Sequence, residues 1–289
     1  MAHLGGMEVT DAVPLSVILP AHDEADWIER CLAAVCKSRP LEAEAEIIVV
    51  ANGCSDETAA RARAMDARCK AVGFALRVLE LSEGGKIGAL NAGDATARHD
   101  ARVYLDADVE VSAGLLPALA RVLATPHPRY ASGTPILSAA RSAVTRAYGR
   151  YWMTLPFNTE GVGGYGIFAM NGAGRARWKA WPEIISDDTF ARLHFAPEER
   201  IKLPDTYHWP LVEGFGNLVR VRRRQNRGVR EISTAFSHLL RHDSVNAPGA
   251  AGILRRALRK PVGFLAYAAV ALTVTGSAGR DGTAWTRGR

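Results

Sequence analysis

The sequence has few cysteines, and their spacing excludes the common metal-binding patterns. The four cysteines are Cys31, Cys36, Cys54 and Cys69, and no two of them form a Cys-x-x-Cys pair. Three of them fall within segments predicted to be helical, so neither a zinc site nor a disulfide framework is indicated. Free thiols of this kind suit a reducing cytoplasm, which is the location that we expect.

Two common phosphate-binding motifs are also missing. No Gly-x-Gly-x-x-Gly follows the first apolar run, which argues against a dinucleotide-binding domain. Gly84-Gly85-Lys86 lacks the Gly-x-x-x-x-Gly-Lys-Ser/Thr spacing of a P-loop. Internal repeats and low-complexity tracts are absent as well, so the chain is not a repeat array.

Long apolar runs are scarce at both ends of the chain. Residues 1–14 have neither a basic start with an apolar run nor a small-residue cleavage site, so they predict a flexible arm rather than a secretory signal. Residues 261–279 are uncharged but contain glycines, serine and threonines, and a spanning helix needs ~20 predominantly apolar residues. Together with the basic residues at 255–260, this part of the C-terminal segment 236–289 is typical of an interfacial helix on the anionic inner leaflet of a membrane, or of a final core helix.

The overall composition is that of a globular protein. With 289 residues and 48% hydrophobic side chains, the chain can form one large α/β domain with a C-terminal helical appendage. The formal net charge of +6 predicts an anionic partner, which could be a nucleotide, a nucleic acid or an acidic lipid surface.

Four short apolar runs predict the strands of a parallel sheet. They start near Leu15, Glu46, Phe74 and Arg102 and recur every ~30 residues, the length of a strand-helix-strand unit. Right-handed crossovers give a twisted, mostly parallel sheet flanked by helices. Ligands of such sheets bind beyond the carboxyl ends of the strands. We therefore expect four loops to meet at one edge: residues 20–24, 51–56, 82–86 and 106–108.

Polar residues after the first two strands predict where helices begin. Asp23 is expected to cap the first helix, whose apolar residues recur at helical spacing. Ser55 or Asp56 is expected to cap a second helix that continues to about residue 70.

The fourth predicted strand ends in acidic residues. In the run from Val103 to Glu110, Asp106 and Asp108 are two residues apart, so both side chains would leave on the same face if the strand continued through them. A hard divalent ion such as Mg²⁺ or Mn²⁺ prefers carboxylate oxygen and commonly bridges to substrate phosphates. The pair is therefore a candidate anchor for a metal-bound diphosphate. A solvated turn is the alternative interpretation, because aspartate is common after strands.

Five short motifs occur in one order and at compatible spacing. They are SVILPAHDE at 16–24, VVANGCSDET at 49–58, GGKIGALNAG at 84–93, YLDADVEV at 104–111 and ISDDTFARL at 185–193. The set resembles the inverting family 2 glycosyltransferases of the nucleotide-diphospho-sugar transferase (GT-A) fold, over about residues 15–230. The resemblance implies a GT-A domain at 15–235, with a nucleotide-binding half at 15–111 and an acceptor half at 112–235.

The resemblance implies donor-binding roles in the first half of the chain. Pro20, His22 and Glu24 would line the nucleoside pocket, and Lys86 would contact the diphosphate. Asn52 is also assigned to the donor site, although the family often has paired aspartates where this chain has Ala51-Asn52. The nucleobase is therefore left open.

The resemblance also implies the metal site and the catalytic base. Asp106 and Asp108 would form the Asp-x-Asp signature that binds Mg²⁺ or Mn²⁺, with Asp108 as the direct ligand. Asp188 would be the base that removes a proton from the acceptor hydroxyl, and Asp187 stands where the family usually has glutamate. From the residues alone, the same acids could simply cap a helix, since an apolar helical pattern follows them.

Further candidates come from the second half of the chain. Six arginines lie between residues 220 and 230, and we favour phosphate contact by Arg224 and Arg227 over a purely solvated face. His208 is a weaker candidate for a third metal ligand. The glycine-rich segment 161–166 is interpreted as an acceptor-side loop or lid, with plain turns as the alternative.

The motifs and charges of the sequence are compatible with three functions, to different degrees. The expected one is metal-dependent transfer of a sugar from a nucleotide-sugar donor to a hydroxyl acceptor, which could be lipid-linked or a cell-surface polysaccharide precursor. A sugar nucleotidylyltransferase would need a glycine-rich, basic signature after the first strand, where this chain has residues 21–24 instead. A non-catalytic lipid or nucleic-acid binder would use the arginine run, but an acidic sheet edge repels nucleic-acid phosphate, so no nucleic-acid partner is expected.

Overall fold

The strands and helices follow the predicted alternation. The computed structural model describes residues 12–243 and 249–276. Its strands are β1 (Leu15–Ala21), β2 (Ala45–Asn52), β3 (Phe74–Leu81), β4 (Ala101–Leu105), β5 (Glu110–Val111), β6 (Tyr130–Leu137), β7 (Ile167–Met170) and β8 (Arg200–Trp209). Its α-helices are α1 (Ile28–Val35), α2 (Thr58–Ala64), α3 (Asp66–Ala71), α4 (Lys86–Thr96), α5 (Leu115–Val122), α6 (Ala143–Trp152), α7 (Pro156–Thr159), α8 (Gly172–Arg175), α9 (Asp187–Leu193), α10 (Phe215–Ala235), α11 (Ala250–Arg259) and α12 (Pro261–Thr275).

One mixed sheet contains all of these strands, in the order β3-β2-β1-β4-β7-β6-β8-β5. β1 pairs in parallel with β2 and β4, and β2 pairs in parallel with β3, whereas β7 runs antiparallel to both β4 and β6. The predicted α/β architecture, with helices on both faces of the sheet and helices at the C-terminus, is confirmed. The first four strands also start where the apolar runs predicted them.

Alternating side chains of β1 enter two cores, one on each face of the sheet. Leu15, Val17 and Leu19 belong to the core that includes α1 and α5, whereas Ile18 belongs to the core that includes α4. Helix α4 approaches β1 so closely that a Cβ at Gly93 would lie 2.4 Å from Ile18. Because β1 lies between β2 and β4, its carboxyl end lies between theirs at the sheet edge where the loops meet.

The C-terminal helices pack on the acceptor half of the chain. Helix α12 contacts both α6 and α10, and the ring centroids of Tyr148 and Tyr267 are 5.5 Å apart in this contact. Val270 and Val274 are buried there. Within residues 12–243 and 249–276, no helix combines the length and the apolar content needed to cross a bilayer.

Two predicted end segments fall partly outside the described residues. Residues 1–11 of the predicted flexible arm lie outside them, and at its last residues the Val13 N–H donates to the Ala120 carbonyl at 3.0 Å. Residues 244–248 and 277–289 of the C-terminal segment also lie outside them.

Two local predictions are wrong. The segment expected to form one helix to about residue 70 forms α2 and α3, which are separated at Met65. Asp23 does not cap α1, because the helix begins after Trp27 without a side-chain cap. Asp23 instead accepts a hydrogen bond from the Ser55 N–H at 2.6 Å and adopts a φ of +49°, so it links the loops after β1 and β2.

Candidate active site

Two adjoining cavities lie at the predicted edge of the sheet. The larger, of about 220 Å³, is lined by the predicted residues Pro20, His22, Glu24, Asn52, Lys86, Asp106, Asp108 and Arg224. The smaller, of about 130 Å³, is lined by the segment 185–188 and by residues 164–166. Pro20, Lys86, Asp106 and Arg224 line both cavities, so the two form one continuous site.

The Asn52 amide joins three chain segments at one end of the larger cavity. Its Nδ2 donates to the Ala21 carbonyl at 2.8 Å, and its Oδ1 accepts from the Gly85 N–H at 2.9 Å. The His22 ring Nδ1 lies 2.7 Å from the Asn52 carbonyl oxygen. Asn52 is 2% exposed, so its amide holds the ends of β1, β2 and the loop before α4 in a fixed arrangement.

Two glycines allow this close approach of loops. Gly53 has a φ of +57°, and a Cβ at this position would lie 2.5 Å from the Gly84 nitrogen. Glycine adopts this conformation without strain, and any side chain here would clash with the backbone of Gly84. The Gly-Gly-Lys segment thus reaches the site through backbone contact with the loop after β2.

Asn52→Asp is expected to destabilise the protein even though aspartate is common at this position in the resembling family. The carboxylate would lose the Nδ2 donations to the Ala21 and Val50 carbonyls and would face the Ala21 carbonyl oxygen, at a cost of about 1–3 kcal/mol for a buried unsatisfied group. Urea unfolding of the variant should show the loss. Asn217→Asp is the control, and an equally stable Asn52→Asp would contradict the role of the amide.

Lys86 connects carboxylates from the two halves of the chain. Its Nζ lies 3.0 Å from Asp106 Oδ1 and 3.0 Å from Asp187 Oδ2. Burial by itself would lower the pKa of Lys86, but the charges of Asp106 and Asp187 outweigh it and raise the pKa above its usual value. Lys86 therefore remains a cation at the junction of the two cavities.

Asp106 and Asp108 lie in a turn and not in a strand. β4 ends at Leu105, and the Val109 N–H donates to the Asp106 carbonyl at 3.1 Å, so the strand does not continue through both residues and the alternative of a turn applies. The turn nevertheless brings both carboxylates to the larger cavity. The Asp106 N–H donates to the Gly166 carbonyl at 2.8 Å, which fixes the start of the turn.

The composition of this turn fits a divalent cation. Mg²⁺ beside a substrate diphosphate is commonly bound by one or two carboxylates of the protein. Phosphate oxygens and water occupy the remaining coordination positions. The adjoining Lys86 and Arg224 line the same cavity and offer positive charge to the same anion.

Asp188 stands at the beginning of α9 and faces the smaller cavity. Its Oδ1 accepts a hydrogen bond from the Thr189 N–H at 2.6 Å, which satisfies one donor of the first turn. Burial and, to a lesser extent, the neighbouring charge of Asp187 raise the pKa of Asp188 to about 6. A carboxyl with this pKa can accept a proton near neutral pH more readily than an ordinary aspartate.

Asp188→Asn is expected to raise stability at about pH 8 and to raise it less at about pH 5. The folded-state pKa of about 6 lies above the ordinary 3.8, so ionisation costs nothing below 3.8, an increasing amount between the two values, and the full amount above 6. Removing the charge should therefore stabilise the fold by on the order of 1–3 kcal/mol at the higher pH. Urea unfolding at both pH values measures this, with the exposed Glu183→Gln as control, and equal effects at the two pH values would contradict the raised pKa.

The structure does not bring two of the predicted residues to the cavities. His208 is exposed on β8, on the face opposite to buried Tyr207, and lies outside both linings. Arg227 is half-buried on α10 and also lies outside them. The third ligand predicted from His208 is therefore not found with Asp106 and Asp108.

Other residues reach the site that the sequence patterns did not single out. Trp209 and Gln225 line both cavities. Asp187, which the sequence comparison named without a contact, forms an ion pair with Lys86. The sequence feature that could have indicated Trp209 is its position as an aromatic residue at the end of β8. Gln225 lies inside the arginine run, where the charged neighbours dominated the pattern.

The glycine-rich segment 161–166 is an anchored loop of the smaller cavity. Tyr165 donates to Asn158 Oδ1 at 2.7 Å, and Tyr207 donates to the Tyr165 carbonyl at 2.7 Å. Gly164 has a φ of +75°, and a Cβ there would lie 1.8 Å from the Tyr130 hydroxyl oxygen. This packing supports a cavity wall and gives no support to a moving lid.

Residues 16–183 match the family described as Glycosyl transferase family 2. No curated protein gives a significant match. A mannosyltransferase from Pyrobaculum calidifontis, solved in complex with GDP-Man and Mn²⁺, is similar over 93% of this chain and 81% of its own, with 21% identity and a TM-score of 0.59. S. aureus TarS 1-349 in complex with UDP-GlcNAc is similar over 90% of this chain and 81% of its own, with 15% identity and a TM-score of 0.50.

These findings agree on family and fold. The family match covers more than half of the chain and includes the turn of Asp106 and Asp108, but it ends before Asp188. At these identities, the similar structures show a shared GT-A fold. The chain therefore belongs to glycosyl transferase family 2 and is a glycosyltransferase enzyme of the GT-A fold.

Proposed function

We propose that the protein transfers a sugar from a nucleoside diphosphate sugar to an acceptor hydroxyl, with a divalent cation and with inversion at the anomeric carbon. The observation that supports this most is the pair of salt bridges from Lys86, which connects the carboxylates of the Asp106 turn with those at the start of α9. The site therefore has one cation, Lys86, held among carboxylates that would need a divalent metal to accept a diphosphate, and a separate carboxylate, Asp188, beyond it.

The larger cavity is proposed to hold the nucleotide. His22, Glu24 and Asn52 would surround the nucleoside, and Lys86 and Arg224 would contact the diphosphate. Asp106 and Asp108 would hold Mg²⁺ or Mn²⁺, which neutralises charge on the leaving diphosphate when bound. Solved structures of similar fold contain GDP-Man with Mn²⁺ and UDP-GlcNAc, which supports a nucleotide-sugar donor without selecting the base.

The smaller cavity is proposed to receive the acceptor. Asp188 would take the proton of the acceptor hydroxyl while the new bond forms from that oxygen to the anomeric carbon and the bond to the diphosphate breaks. A single base acting on the incoming alcohol gives one displacement and hence inversion. The raised pKa of Asp188, caused by burial and by Asp187, suits this role.

A donor screen tests the proposal. Thermal stability should be measured with uridine, guanosine, adenosine and thymidine diphosphates and their sugars, with Mn²⁺ or with EDTA, since ligand binding stabilises the folded state according to affinity. We expect one nucleobase to stabilise the protein only with the metal, and slow release of the nucleoside diphosphate from its sugar. Release of pyrophosphate would instead indicate nucleotidyl transfer, and no stabilisation by any nucleotide would overturn the proposal.

A further inference from the structure

The two C-terminal helices expose an unusual concentration of apolar side chains. Among the described residues, six of the eleven exposed large hydrophobic side chains lie on α11 and α12: Ile253, Leu254, Leu258, Val262, Leu265 and Leu272. Leu258 is 75% exposed and Leu272 is 71% exposed. The other five are scattered between positions 72 and 240. Single exposed apolar residues are common, but a contiguous group marks an interaction surface.

Helix α12 presents no charged side chain to solvent. Its inner face is buried against α6, where a Cβ at Gly263 would lie 2.7 Å from the Ala147 carbonyl oxygen. Its outer face carries Val262, Leu265 and Leu272, and no charged residue occurs between 261 and 275. A helix packed on one side of a globular protein normally exposes charged and polar residues on the other side.

Basic residues border these apolar side chains. Arg255, Arg259 and Lys260 are exposed at the junction of α11 and α12, and no acidic residue lies between 249 and 276. Arg256 has a different role, because its Nε donates to the Thr154 carbonyl at 2.8 Å and ties α11 to the body of the protein. We call the six exposed apolar residues with Arg255, Arg259 and Lys260 the α11–α12 surface.

We propose that the α11–α12 surface docks the enzyme on an anionic lipid bilayer. The apolar side chains would enter the boundary between head groups and acyl chains, and the basic side chains would contact lipid phosphates. Helix α12 would lie along the face of the bilayer and would not span the bilayer. Its 15 residues extend only about 22 Å, and its inner face is packed on protein.

Other occupants fit this surface less well. The neighbouring segments 244–248 and 277–289 each contain only one large apolar residue, Val245 and Trp285, so neither can cover six. A second copy that docked through the same surface would bring a second group of basic residues against Arg255, Arg259 and Lys260, and residues 249–276 contain no acid to pair them. An anionic bilayer supplies both the apolar depth and the opposite charge.

The position of the surface has a consequence for the acceptor, which rests on the proposed function. Helix α12 packs on α6 and α10, and α10 provides Arg224 and Gln225 to both cavities. Docking through α12 would therefore keep α10, and with it one side of both cavities, close to the bilayer. An acceptor hydroxyl carried on a membrane lipid would meet the site in this arrangement.

Vesicle flotation of the full chain, without donor and without metal, tests the docking. Vesicles of phosphatidylcholine with phosphatidylglycerol should bind the protein, and pure phosphatidylcholine vesicles should bind it weakly. The triple variant Leu254→Ser, Leu258→Ser, Leu265→Ser should lose binding by at least about tenfold. The variant Arg255→Gln, Arg259→Gln, Lys260→Gln should lose about fivefold per residue, or on the order of 100-fold, and only for anionic vesicles.

The control variant Val72→Ser, Ile136→Ser, Val229→Ser removes three exposed apolar residues elsewhere and should bind vesicles normally. Equal loss in this control, or no binding of the unaltered protein to anionic vesicles at low salt, would overturn the docking. Concentration-dependent dimers that disappear in the leucine variant, with no vesicle binding, would assign the surface to a second copy instead. Nucleotide-induced thermal stabilisation is measured separately, so failure of the docking is distinguishable from failure of the proposed reaction.

Discussion

Replacing Asp188 with asparagine is expected to lower kcat for sugar transfer by roughly 10²–10⁴-fold, the usual contribution of a general base. Asparagine preserves the size of the side chain and can still accept the Thr189 N–H, so α9 should keep its first turn. The variant should bind the nucleotide normally, because Asp188 lies in the smaller cavity and outside the lining of the larger one. Initial rates with a saturating donor, and thermal shifts with the nucleotide, measure both properties.

Glu183→Gln is the matched control for this variant. Glu183 is an exposed acid in the segment that precedes α9 and lies outside both cavities, so its replacement should leave the rate of transfer unchanged. A fully active Asp188→Asn would remove the assignment of the base. In the unaltered enzyme, kcat/KM should fall as the pH drops below about 6, because Asp188 is then protonated and cannot accept a proton.

Asp108→Asn is expected to lose transfer by more than about 10²-fold through loss of the metal-bound diphosphate. The variant should show no Mn²⁺-dependent increase in nucleotide affinity, whereas weak metal-independent binding through Lys86 and Arg224 should remain. Titration of the nucleoside diphosphate by calorimetry, with Mn²⁺ and with EDTA, separates the two contributions.

Glu110→Gln is the matched control for the metal site. Glu110 follows Asp108 by two residues but forms a salt bridge with Arg30 at 2.5 Å and lies outside both cavities. It should therefore retain the metal-dependent affinity. If Asp108→Asn retained the same Mn²⁺ dependence as the unaltered enzyme, the metal would have to bind elsewhere.

The ion pairs of Lys86 explain why the two variants should affect different steps. Asp106 belongs to the turn that would hold the cation, and Asp187 precedes the proposed base directly. Lys86 keeps the two groups of carboxylates at one site while its positive charge offsets their repulsion. Asp108→Asn should therefore weaken binding of the donor, whereas Asp188→Asn should slow turnover.

The positions of the first four strands along the chain, and the sheet edge that forms the site, were predicted from the sequence alone. Buried parallel strands must be apolar on both faces, so the runs starting near Leu15, Glu46, Phe74 and Arg102 were visible without a structure. Loops that follow such strands must meet at one edge, which placed Lys86 near the Asp106 turn before any distance was known.

Contacts between distant residues depended on the tertiary structure. The Asn52 amide, predicted as a donor contact, also fastens two loops, and Lys86 pairs with Asp187, which follows it by 101 positions. The register of β8 directs Trp209 to the cavities and His208 away from them, and a shift of one residue would exchange the two faces.

The exposure of the side chains of α12 also depended on the tertiary structure. Residues 261–275 carry no charge on any face, so the sequence alone could not separate a core helix from an interfacial one. The structure buries Val270 and Val274 and leaves Leu265 and Leu272 exposed. Local sequence thus determined which segments became strands and helices, whereas only the packing of those elements decided which side chains face the core, the site or the solvent, because that choice depends on neighbours far away in the chain.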